Sequence, residues 1–179
     1  MTRILAVLFA AAFLAGCASS PLSSFGRGAA FNESTLGYVD ARALRVNISL
    51  PEGYVLDVPT TRLVAVARSK TGTRETQLAL NPVTTSTGKR GGGMLSKEMA
   101  VTTVEMDLTD ESMGALRELQ SFVGAGTAKE VELRVKLRLR QAPPGATSVK
   151  VWVDMRMSAM EEFFPLIDGA TIPIAETKP

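Results

Sequence analysis

EVELRVKLRLRQ (Glu130–Gln141), followed after Ala142-Pro143-Pro144-Gly145-Ala146 by SVKVWVDMRM (Ser148–Met157), is the stretch that points to a β fold. Apolar and polar side chains alternate through both halves with the period of two that sends successive side chains to opposite sides of a strand. Pairing the two as a hairpin is expected to oppose Leu139 to Val149, Leu137 to Val151 and Val135 to Val153 on a buried face. The wet face then pairs Arg134 with Asp154, Glu132 with Arg156 and Lys136 with Trp152.

The same alternation recurs on either side of this pair. Leu44, Val46, Ile48 and Leu50 interleave with Arg45, Asn47 and Ser49, and Pro51-Glu52-Gly53 ends the strand. A shorter strand is expected near Tyr54 to Val58, stopped by Pro59. Arg62 to Ser69 and Arg74 to Asn81 flank Thr71-Gly72-Thr73 as a second hairpin, with Val66 opposite Leu78 and Val64 opposite Leu80. Ala100, Thr102, Val104, Met106 and Leu108 share one side of a further strand. Thr109 or Asp110 then caps a helix with the apolar stripe Met113, Leu116, Leu119, Phe122 and Val123, stopped by Gly124 and Gly126. Ile167-Asp168-Gly169-Ala170 reads as a turn before a last strand, Thr171 to Ala175, whose Pro173 suits a sheet edge. About eight short strands and one helix make the fold class mainly β, a β-sandwich-like domain; an α+β antiparallel sheet with one covering helix is the alternative.

With 179 residues the chain suits one domain, and with no histidine and one cysteine it lacks the groups for an internal disulfide, a Cys/His zinc site or a Ser-His-Asp centre. No cofactor and no metal is expected. The formal charge of +2 provides no global field toward nucleic acid, and none is expected as a partner. Residues 1–16 carry Arg3, an apolar run from Ile4 to Leu14, then Ala15 and Gly16. This run is too short to span a bilayer as a mature helix and reads as a cleaved signal peptide. Residues 17–35, rich in Ser, Gly and Ala, read as a flexible tether, and residues 36–179 as a single β-rich domain.

Leu14-Ala15-Gly16-Cys17 resembles the lipobox of bacterial lipoproteins. The resemblance implies diacylglycerol on the sulfur of Cys17, cleavage by signal peptidase II and acylation of the new amine. Two or three acyl chains hold a protein almost permanently, so the domain is expected to be tethered by lipid on Cys17 to a membrane. Ala18 and Ser19 follow the cysteine where an aspartate favours inner-membrane retention. The expected location is therefore the periplasmic face of the outer membrane, with the inner membrane as the alternative.

Arg134, Lys136, Arg138 and Arg140 form a basic row of roughly 20 Å at strand rise, with Trp152 beside it as an aromatic platform or a cation-π partner of Lys136. Lys89 and Arg90 sit in Thr84–Gly93, read as a mobile connection. That stretch lacks the glycine and hydroxyl positions of a phosphate loop. Together these seven residues are the candidate partner-binding set. Ser96-Lys97 and Glu161-Glu162 are the fragments with catalytic residue types, and Asp107, Asp110 and Glu111, though close enough to gather around calcium, lack its glycine-turned loop and read as a strand end and a helix start. The leading expectation is a non-catalytic envelope lipoprotein that binds another envelope component, a protein or an acidic glycan or lipid, in assembly or maintenance. Its rivals are a module for a small amphiphile, requiring an apolar cavity, and a hydrolase built from Ser, Lys and carboxylates.

Overall fold

The computed structural model describes residues 20–21, 33–70, 72–91, 97–126 and 128–174. In chain order the elements are β1 (Ser20–Pro21), α1 (Glu33–Gly37), β2 (Arg45–Pro51), β3 (Val55–Leu56), a 3-10 turn (Val58–Thr60), β4 (Arg62–Ser69) and β5 (Gly72–Arg90). They continue with β6 (Met99–Leu108), α2 (Asp110–Gly124), β7 (Ala128–Lys136), β8 (Arg138–Gln141), β9 (Ser148–Arg156) and β10 (Phe164–Pro173). The fold is mainly β with one helix of more than seven residues among the described residues.

A curled seven-stranded antiparallel sheet runs β10-β9-β2-β6-β5-β4-β7, and a three-stranded sheet runs β1-β8-β3. The curl comes from β5, whose first half pairs with β4 and whose second half, from Leu80 on, pairs with β6. Early in the second half the register with β6 shifts between Pro82 and Thr84, a bulge beside a proline that has no N–H to donate.

The hairpin expected of Glu130–Gln141 and Ser148–Met157 does not form. Its first half breaks at the buried Leu137 into β7, which pairs with β4, and β8, which pairs with β1 and β3. Strand β9 lies instead between β2 and β10, with Val153 opposite Ile48 and Met155 opposite Val46. Alternation dictates which side chains a strand buries, and any neighbour of matching parity satisfies it. The apolar faces were thus read correctly and the partners were not: Val131, Leu133, Val135, Leu137 and Leu139 are all buried, as are Val149, Val151, Val153 and Met155, but the expected wet face of β9 is not wet, since Trp152 and Asp154 are buried as well.

The β4–β5 hairpin does form, three residues out of the expected register. Leu63 faces Leu78 and Ser69 faces Gly72. An odd shift exchanges faces, so Leu63, Ala65 and Ala67 enter the core while Val64 and Val66 lie on the other side, buried all the same. Of Thr84–Gly93, expected as a mobile connection, Thr84–Arg90 belongs to β5, and residues 92 and 93 lie outside the described residues. Ile167–Ala170 is not a turn between elements but a bulge inside β10, which begins at Phe164. Pro173 does sit on an edge strand.

Helix α2 follows its sequence signals. Thr109 caps it by accepting from the Ser112 N–H at 3.2 Å, Leu116, Leu119 and Val123 are buried, and Gly126 with φ +72° lies just beyond its end. Its start is tied to β5 at the point where pairing with β4 ends: the Ala79 N–H donates to Ser112 Oγ at 2.7 Å, and the Thr109 N–H donates to the Ala79 carbonyl. Gln120 Nε2 reaches back to the carbonyls of Leu36 and Val39 and fastens α1 to the helix.

Candidate functional site

The candidate site is a half-open groove of about 410 Å³ where the small sheet stands over the curled one. Its floor comes from facing positions on three adjacent strands. Ile48 of β2 opposes Val104 of β6, Leu50 opposes Thr102, and Thr85 of β5 opposes Val104 from the other side. Threonines at 85 and 102, with Pro82, are short beside the leucine and isoleucine of β2, so the floor is recessed toward β5. Val55, Leu56 and Val58 make the opposing wall.

Tyr54 closes one side, and its position has two causes. Its N–H donates to the Pro51 carbonyl across a tight turn whose third residue, Gly53, has φ +89°, as the turn demands. Its hydroxyl donates to the Ser148 carbonyl at 2.9 Å, which fixes the ring against the start of β9. Glu52 and Arg140 stand at the rim without pairing to each other, and Arg140 is exposed and makes no ion pair among the described residues. The groove can hold an apolar chain along its floor and an acidic group at Arg140; its size falls within the range of small-molecule clefts.

The seven expected binding residues do not converge. Arg134 grips Glu132 on its own strand through two 2.7 Å bonds, and Lys136 reaches Glu75 of β5 at 3.1 Å. The Arg134 hydrogen bond holds the Glu132 carboxyl below its ordinary range, the Lys136 bond does the same for Glu75, and Glu132 in turn raises the Arg134 guanidinium. Half of the basic row is therefore engaged in an internal network over Val64 and Val66. Arg138 and Arg140 lie on the other sheet, both exposed.

Trp152 is no platform: it is 3% exposed, and the cation over its ring is Lys150, at 5.3 Å, not Lys136. Asp154 pairs with Arg90 and not with Arg134, and Arg156 rests on the Phe163 ring. Lys89, Arg90 and Trp152 do come together, in a cleft of about 490 Å³ completed by Lys150, Asp168 and Gly169. Lys89 is held by Glu98 at 2.9 Å and Arg90 by Asp154, so two of its three cations are already neutralised.

Of the remaining expectations, Cys17 and Ser96 lie outside the described residues, and Glu161 and Glu162 are exposed between β9 and β10. Among the described residues no group of three or more carboxylates is arranged to hold a metal, Asp107, Asp110 and Glu111 included. Sequence reasoning missed the groove because its floor spans three strands that only the topology makes neighbours; the one local signal was Thr102, a polar residue on the otherwise apolar face of Ala100, Val104, Met106 and Leu108. Comparison with protein-family models, with curated proteins and with solved structures finds no match to this chain.

Proposed function

We propose that this protein is a non-catalytic, lipid-anchored lipoprotein on the periplasmic face of the bacterial outer membrane, whose domain binds an amphiphile: an acyl chain bearing an acidic headgroup. The anchor rests on the lipobox-like Leu14-Ala15-Gly16-Cys17. The ligand class rests on one observation, a groove whose floor is largely apolar and whose rim carries an arginine without an ion-pair partner among the described residues. Chain and headgroup are recognised separately, the first by burial of apolar surface and the second by a charge-assisted hydrogen bond. An acidic ligand in the cleft of Lys89, Arg90 and Lys150 is the weaker reading, because Glu98 and Asp154 already occupy two of those cations.

The test uses the full-length protein reconstituted in vesicles that contain phosphatidylglycerol with a photoreactive diazirine in its acyl chain. Illumination is expected to label peptides carrying Val104 and Leu56, and filling the groove by Thr85→Trp with Thr102→Leu is expected to cut labelling several-fold. Arg140→Gln should weaken capture of the acidic lipid more than that of phosphatidylcholine. Labelling indifferent to the filled groove overturns the amphiphile reading. Separately, a Cys17 found without lipid by mass spectrometry of the membrane-associated protein overturns the anchor.

A further inference from the structure

The two described residues nearest the start of the chain are not free of the domain. Ser20 and Pro21 form β1, the outer strand of the small sheet, with Ser20 opposite Leu139 and Pro21 opposite Arg138. Because the pairing is antiparallel, the step from Pro21 back to Ser20 runs in the direction in which β8 runs from Arg138 to Leu139. Two residues, Ala18 and Ser19, lie between Ser20 and Cys17, so three chain steps of at most about 11 Å join them. Arg138 and Arg140 are exposed, lie on the same side of β8 opposite the buried Leu139, and make no ion pair among the described residues.

We infer that the small sheet is the membrane-apposed part of the domain, with Arg138 and Arg140 of its central strand β8 lying against the anionic phospholipid headgroups of the bilayer that holds the anchor. The inference rests on the lipoprotein reading, since it takes Cys17 as the lipid-bearing residue, and it replaces a loosely swinging domain with an oriented one. Two observations carry it. The length of chain between anchor and sheet is comparable with the distance over which charges act in physiological salt, about 8 Å, so the β8 cations stay within range of the surface. Their sign complements anionic lipid, and each arginine near such a surface is expected to favour the apposed orientation about fivefold. The same orientation brings the groove rim at Arg140 to the headgroup layer, where an acyl ligand enters without crossing water.

The chain's only cysteine is Cys17, so a cysteine introduced elsewhere is a unique labelling site once Cys17 carries lipid. A fluorophore at Gln141→Cys, an exposed position, marks the end of β8. One at Met160→Cys, an exposed position beyond the far end of β9, lies roughly 25 Å or more from the start of that strand at ordinary strand rise. The lipidated protein is reconstituted in phosphatidylglycerol vesicles with a nitroxide on the lipid headgroup. Quenching is expected to be several-fold stronger at Gln141→Cys than at Met160→Cys, and the difference is expected to shrink with Arg138→Glu, in high salt and in purely zwitterionic vesicles. Equal quenching at both positions of a protein whose Cys17 carries lipid by mass spectrometry overturns the orientation alone. An unmodified Cys17 overturns the lipoprotein reading, and this inference with it.

Discussion

Lys136 on β7 and Glu75 on β5 meet at 3.1 Å although their strands never touch: β4 lies between them, and the pair crosses it on the side of Val64. Lys136 stands opposite Arg62 and Glu75 opposite Val66, so Val64 is the residue beneath the bridge. Together with Arg134, Glu132 and Arg68 this network shields two valines that the register turned away from the core. The methylene stems of such side chains cover apolar surface while their charged ends stay hydrated. Lys136→Ala is expected to cost about 1 kcal/mol, because the pair is well exposed and screened, and its effect in urea melts should exceed that of Lys136→Arg.

Acid should weaken the same face. Glu75 and Glu132 are held below their ordinary value of 4.5 by Lys136 and Arg134. A carboxyl with a depressed folded value contributes stability that is present above the ordinary value and lost as pH falls through the folded one. Stability is therefore expected to be flat with respect to these groups above about pH 5 and to fall below 4.5, and the Glu75→Gln, Glu132→Gln double variant should show a shallower fall in urea melts taken from pH 6 to pH 3.

Arg90 and Asp154 make a second long-range pair, from the end of β5 to β9, with the Asp154 side chain only 12% exposed. Removing the arginine leaves that carboxylate without its partner. Arg90→Ala is expected to cost about 2 to 3 kcal/mol, and Arg90→Ala with Asp154→Ala clearly less than the sum of the single costs; a double-mutant cycle measures this.

Gly169 lies in the β10 bulge at φ +65°, where a Cβ would stand 2.9 Å from Lys150 Cε and 3.0 Å from Trp152 Nε1. Gly169→Ala therefore adds backbone strain to a clash with the buried indole, at a cost of roughly 1 to 3 kcal/mol. Trp152 is the only tryptophan, so the emission of this variant should shift to longer wavelength in the folded protein as the ring is displaced.

Ser112 both completes the start of α2 and accepts from the Ala79 N–H. Ser112→Ala is expected to cost about 1 to 3 kcal/mol by leaving that amide without its acceptor, more than the roughly 1 kcal/mol expected for loss of the cap in Thr109→Ala. Hydrogen exchange at Ala79 should rise in the first variant and change little in the second.

What the sequence determined by itself was local. The alternation at Leu44–Leu50, Ala100–Leu108, Glu130–Gln141 and Ser148–Met157 assigned buried faces, and Thr109, the apolar stripe and Gly126 defined helix α2, because side-chain period and end chemistry are properties of a short segment. Tertiary structure alone decided which strands became neighbours. It broke Glu130–Gln141 at Leu137 and gave its halves to different sheets, set β4 against β5 three residues from the expected register, and drew Asp154 to Arg90 across the sheet. The candidate groove belongs to this second class: Ile48, Val104, Thr85 and Arg140 are distant in sequence, and only the free energy of burying all the apolar faces together, which depends on every strand at once, brings them around one space.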